Sequence, residues 1–234
     1  MLSVVMAVYK GDKNIYQQLT SVLSQLGYGD EVIVSDDRPG EITERIVKKI
    51  AATDSRVIWV EGKNKGTTAN LVNAIRHCKG DKILFCDSKD VWLPDKVKRV
   101  KDAFEDGADL VVHNAYITDG NLEITDYSFF EKYGVNKNAL SNIYRNTFLL
   151  SCMAVDRKIL KKVMPIPRSV PVVAQWIGVI ACIYGKVKLI DIPLMYCRVD
   201  RNKRISFEDP FRTTGRGRVV LISKLYKKVV FGNG

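Results

Sequence analysis

Residues 2–37 decide the fold. Leu2-Ser-Val-Val-Met-Ala-Val8 is an apolar, largely β-branched run, Lys13–Leu26 has helical spacing, and Glu31-Val-Ile-Val-Ser-Asp-Asp37 is again strand-like. In Lys13–Leu26 the apolar residues Ile15, Leu19, Val22, Leu23 and Leu26 fall on one helical stripe that stops at Gly27. Outward from this unit the alternation continues. Glu41–Ala52 reads as a helix, Arg56–Val60 as a strand, Thr67–Cys78 as a helix and Lys82–Cys86 as a strand. Pro94 then introduces a helix over Asp95–Glu105, and Asp109–Val112 is a further strand. Strand-helix alternation at this spacing predicts an α/β fold with a mostly parallel sheet flanked by helices. Ligands of such sheets bind beyond the carboxyl ends of the strands, so the loops after Val8, Ser35, Val60 and Cys86 should share one cleft.

Composition narrows the function. The 234 residues are 46% hydrophobic and carry a formal charge of +11, which favours an anionic partner. Ten Lys/Arg against three acids fall between Met195 and Gly234, so most of the surplus sits in the tail. Five cysteines without a CxxC spacing, and only two histidines, argue against structural zinc and for reduced thiols in a cytoplasmic protein. The opening run lacks a basic leader and reads as a strand, and no apolar stretch is long enough to span a bilayer.

The four loops carry Tyr9-Lys10-Gly11, Asp36-Asp37-Arg38, Glu61 to Gly66, and Asp87-Ser88-Lys89-Asp90. Acidic and amide-rich turns joined by basic residues on one sheet edge describe a site for a nucleotide and its diphosphate. Neither a Gly-x-Gly-x-x-Gly turn nor a Gly-Lys-Ser/Thr loop is present, which sets aside dinucleotide and P-loop readings.

These segments, with Asn64-Lys-Gly-Thr67, Asn70, Gly80 to Lys96, Ser151-Cys-Met-Ala154, Trp176 and Ile190 to Arg198, resemble the successive motifs of family 2 glycosyltransferases. The likeness covers roughly residues 1–202 and is strongest to the rhamnosyltransferase-like bacterial branch that builds surface polysaccharides. It implies a GT-A fold over 1–205. A nucleotide-sugar half (1–112) would precede an acceptor half (113–205) with an acceptor-side helical region; beyond the likeness, the residues of 206–234 read as a basic amphipathic extension. It also implies inverting transfer from a UDP- or dTDP-sugar to a saccharide or lipid-linked acceptor. By position, Val8 and Tyr9 would line the base pocket and Asp36 would face base or ribose. Asn64 and Gly66 would shape the donor wall, and Asp87 would be the first carboxylate of a motif holding Mn²⁺ or Mg²⁺.

The chain departs from the family at three places. Lys89 replaces a metal-facing carboxylate. Val173-Ala174-Gln175-Trp176 stands where the family supplies its catalytic aspartate, and Asp200 stands near the place of a histidine. Two readings remain. In one, the enzyme is active, with Asp90 or Asp200 as base and Lys89, Arg198 or Arg201 neutralising the diphosphate, with or without a metal. In the other, a catalytically silent relative acts as a binding or scaffolding subunit. In the tail, a helix from Arg218 places Lys224, Lys227 and Lys228 on one side. Val219, Ile222, Tyr226, Val229 and Val230 lie on the other, flanked by Leu221 and Leu225. Such a helix suits either docking on the domain or the inner face of an anionic membrane. No nucleic-acid module accompanies the charge.

Overall fold

The computed structural model describes residues 1–9, 14–39, 42–199 and 214–231. Its first half is the predicted alternation: β1 (Leu2–Val8), α1 (Ile15–Leu23), β2 (Glu31–Asp36), α2 (Ile42–Ala51), β3 (Val57–Glu61), α3 (Thr67–His77) and β4 (Lys82–Cys86). Strand β1 lies between β2 and β4, with β3 outside β2, and all three pairings are parallel. The register sets Val8 level with Asp36 and Asp36 level with Glu61, so three turns leave the sheet at one edge. Strand β2 is buried along its whole length, Glu31, Ser35 and Asp36 included, as a strand covered on both faces of a parallel sheet is.

The second half runs β5 (Val91–Trp92), α4 (Lys96–Glu105), β6 (Leu110–Thr118), β7 (Ile124–Asp126), α5 (Phe129–Tyr133) and α6 (Ala139–Tyr144). A 3₁₀ turn at Leu150–Cys152 leads to β8 (Met153–Asp156), α7 (Arg157–Val163), α8 (Val173–Tyr184), β9 (Val187–Arg198) and α9 (Gly215–Phe231). The strand order is β3-β2-β1-β4-β8-β6-β9-β5, with β7 on β6. Parallel pairing holds among β3, β2, β1 and β4 and between β6 and β9, but β8 enters antiparallel between β4 and β6. Its direction is set by its ends. Asp156 pairs with Lys82 and caps α7 through the Lys158 N–H, while the Arg157 guanidinium donates to the carbonyls of Cys78 and Gly80. One continuous sheet therefore joins the two halves.

Helix α8 packs closely on Phe148. A Cβ on Gly178 would lie 2.1 Å from a carbon of that ring. Gly178→Ala is expected to lower stability by about 1–3 kcal/mol through overpacking. A urea midpoint equal to wild type would show instead that the ring has room to move.

Helix α9 corrects the reading of the tail. The residues that dock are Leu221 and Leu225, 0% and 5% exposed, whereas Val219, Ile222, Tyr226, Val229 and Val230 face solvent. The flanking leucines, not the larger apolar set, form the seam. Lys228 Nζ donates to the Met164 carbonyl (2.9 Å), and the Arg218 guanidinium sits 5.6 Å from the Tyr144 ring centre. Among the described residues no helix is long and apolar enough to cross a membrane. All five cysteines are free; four are buried and Cys182 is half-buried. Burial pushes the Cys78 thiol up to about 12 and that of Cys182 up to about 11.

Candidate active site

Two asparagines of α3 tie the strand-end turns together. Asn70 Nδ2 donates to the carbonyls of Val8 (2.9 Å) and Ser35 (3.0 Å), and its Oδ1 accepts from Ser35 Oγ (2.6 Å). Asn73 Nδ2 donates to Ser35 Oγ and to the Glu61 carbonyl. The Gly62 N–H donates to the Asp36 carbonyl (2.7 Å), and the Gly66 N–H to Asp37 Oδ2 (3.0 Å). A Cβ on Gly62 would lie 2.5 Å from Asp37 Cα, so only glycine lets the β3 turn close on the β2 turn. Asn70→Ala strips partners from two buried carbonyls and is expected to cost about 2–4 kcal/mol of stability. Chemical denaturation reads the loss, and a midpoint like that of wild type would show that the turns hold without it.

Strand β4 runs into the turn Asp87-Ser88-Lys89-Asp90. Asp87 is exposed and accepts from the Lys89 N–H at 3.0 Å. Asp90 is 3% exposed; its Oδ1 accepts from the Arg198 N–H at 3.2 Å, and its Oδ2 is buried with no hydrogen-bond partner among the described residues. Burial, and after it the charge of Asp87, push the Asp90 carboxyl up to about 8. Near it lies Lys96, at the start of α4 and 1% exposed. Its ammonium donates to the Ser151 carbonyl at 3.2 Å and sits 4.2 Å from the Trp92 ring centre, and burial pulls its pKa down. Arg198, at the end of β9, donates to the Lys89 carbonyl (2.7 Å) and to Gln17 Oε1 on α1 (2.6 Å). It stitches the acidic turn to the first helix.

The expected site residues therefore divide. Tyr9 (56% exposed), Asn64, Gly66, Asp87, Lys89 and Arg198 lie in or against the turns at the carboxyl edge of the sheet, with Asn64 (φ 49°) and Gly66 (φ 87°) at positive φ. Val8 is 2% exposed, so its side chain belongs to the core and its carbonyl braces Asn70 and the Asp37 N–H. Asp36 is fully buried and shapes its turn by accepting from the Arg38 N–H. Asp200 and Arg201 lie outside the described residues. At the start of α8, Ala174 is 6% exposed, and buried Gln175 donates to the Asn142 carbonyl (2.6 Å), a bracing role. Trp92 and Trp176 are core residues, and His113 is buried with Nδ1 against the Asn114 carbonyl.

Sequence reasoning placed Asp37 in a site loop without giving it a role, and it missed Gln17 and Lys96. Lys96 carried no signal, because a lysine on a helix is solvated by default.

A divalent ion bridging two phosphates needs one or two carboxylates from the protein. Asp87 meets that need. Asp90 is less available, since it is buried and one of its oxygens is already taken by the Arg198 N–H. Among the described residues no three acidic, His or Cys side chains gather into a metal-holding group. Among the described residues, the cations beside the acidic turn are the exposed Lys89, the guanidinium of Arg198 and the buried Lys96.

A curled, mostly parallel sheet whose carboxyl edge carries acidic turns beside a basic clamp defines the GT-A class of fold. The chain belongs to glycosyl transferase family 2, whose model matches residues 3–164. It is 26% identical to glycosyltransferase GlyA of Streptococcus pneumoniae over 61% of this chain and 21% of that protein. It is 26% identical to an uncharacterized glycosyltransferase, alr2836, of Nostoc over 85% of this chain and 64% of that one. Over 42% of the chain it is 34% identical to WfaP of Escherichia coli, a UDP-Glc:α-D-GlcNAc-diphosphoundecaprenol β-1,3-glucosyltransferase, covering 38% of it. The chain thus spans less than two thirds of the length of these relatives. S. aureus TarS 1-349 in complex with UDP-GlcNAc shares the fold at a TM-score of 0.71 and 19% identity, over 88% of this chain and 60% of that one.

Proposed function

We propose that the chain transfers a sugar, with inversion, from a nucleoside-diphosphate sugar to a saccharide or lipid-linked acceptor in surface polysaccharide synthesis. The observation that carries this reading is the Arg198 clamp, which places two cations beside the acidic turn at the edge where Asn70 and Gly62 lock the nucleotide-side turns together. A departing diphosphate gains negative charge, and fixed cations at that place stabilise it. Lys89 and Arg198 take this role, with Asp87 as the residue that would hold Mn²⁺ or Mg²⁺ if an ion accompanies the donor. Asp90 is the base. It has an unpartnered oxygen, and its carboxyl titrates close to a working pH, where a base is most effective. The names of WfaP and of the TarS complex point to UDP-sugars as the first donors to try. The outward apolar row of α9, with Lys224 and Lys227, supports a seat on an anionic membrane surface at the cytoplasmic side.

Titration with UDP and dTDP, followed by donor-consumption assays with UDP-glucose and UDP-GlcNAc, tests the reading. Binding with consumption supports an enzyme. Binding without consumption for any donor–acceptor pair would overturn it in favour of a silent subunit.

A further inference from the structure

Beside α3, away from the acidic turn, lies a cavity of about 230 Å³ between that helix and the Met164–Arg168 turn. Lys63, Lys65, Arg76 and Arg168, all exposed, line it, with Thr68 and Asn73 adding polar groups, and no acidic residue lines it. None of the four cations forms an ion pair among the described residues, whereas seven other lysines and arginines do. Four like charges around one hollow repel one another, and an anion that enters gains attraction to all of them at once. The walls are held from both sides. Asn73 is bonded to the Glu61 carbonyl at the base of the β3 turn, and the Met164 carbonyl accepts from Lys228 of α9. The cavity thus stands between the donor-side turns and the helix whose outer row is apolar.

We propose that this cavity, which shares the β3 turn with the donor wall, is a second phosphate site, taking the diphosphate or phosphodiester group of a ligand other than the donor. Two arginines suit it, because the guanidinium fork matches phosphate oxygens in pairs. The chemistry is the same for a polyprenyl diphosphate in a membrane and for a soluble phosphate polymer. The site is argued from its own residues and does not depend on the transferase reading.

Inorganic pyrophosphate is titrated into the full chain held in saturating UDP, in wild type and in the Arg76→Ser/Arg168→Ser double variant. Wild type is expected to bind pyrophosphate despite the UDP, and the double variant at least about tenfold more weakly, with UDP affinity unchanged. Equal pyrophosphate affinity in the two proteins, or loss of all wild-type binding once UDP is present, overturns the proposal. If UDP itself fails to bind while pyrophosphate still depends on the two arginines, the donor reading falls and the cavity stands. Zwitterionic vesicles carrying polyprenyl diphosphate, and soluble polyphosphate, then separate the sources. Vesicle binding lost in the double variant assigns the membrane ligand, and polyphosphate binding lost in the same way assigns the soluble one. Neither depending on the arginines overturns the proposal.

Discussion

Asp90→Asn is expected to lower donor turnover by about 10²–10⁴-fold, the usual cost of losing a general base. Asparagine keeps an oxygen for the Arg198 N–H, so the clamp survives and UDP affinity should stay close to wild type. The pH dependence has a definite sign. A base acts only without its proton, so the wild-type rate should climb through pH about 8, where the Asp90 carboxyl ionises, and the variant should lack that rise. Stability moves the opposite way. The folded carboxyl is raised from 3.8, so the stabilisation from keeping it neutral is complete below the unfolded value and is lost as pH rises through about 8. Asp90→Asn removes that loss and should gain thermal stability relative to wild type between pH 4 and 9. A variant with full turnover and the wild-type pH profile would move the base elsewhere, with Asp200→Asn as the next measurement.

The second large effect concerns Lys89. Wild type is expected to bind UDP equally with and without Mn²⁺, because the cations that meet the diphosphate belong to the chain. Lys89→Asp, which restores the acidic pattern of the family, should bind UDP about 10–100-fold more weakly without metal, the size of a charged hydrogen bond lost from a phosphate site. Mn²⁺ should then recover much of that loss in the variant alone. If wild-type UDP affinity rises steeply with Mn²⁺, Asp87 holds an ion despite its lysine neighbour and the assignment of Lys89 is wrong.

The first four strands and three helices were legible because each depends on a local pattern. The β-branched run 2–8 and the stripe through Ile15, Leu19 and Val22 specify strand and helix without reference to distant residues. Strand β8 was not. Met153–Asp156 is four residues long, and its antiparallel course depends on Lys82 and on the Cys78 and Gly80 carbonyls, more than seventy residues away. The turns at the sheet edge were readable as a site, but their division of labour was not. Whether Val8 faces a ligand or the core is decided by Asn70 and the neighbouring turn, and the burial of Lys96 is decided by packing around Trp92 and Ser151. The docking seam of the tail was not legible for a related reason. A helical wheel ranks faces by apolar area, whereas the seam on α9 is set by what the domain offers, and that is room for Leu221 and Leu225.

The burial of the thiols has a practical side. Four of the five sulfurs are sealed from solvent, and the fifth, Cys182, is pushed up to about 11, so little thiolate is present at neutral pH to attack an alkylating reagent. The chain is in effect already a cysteine-light background. A single cysteine introduced at exposed Tyr226 would take a maleimide dye ahead of every native thiol, and a fluorophore there would report the environment of α9 without any native cysteine having been removed.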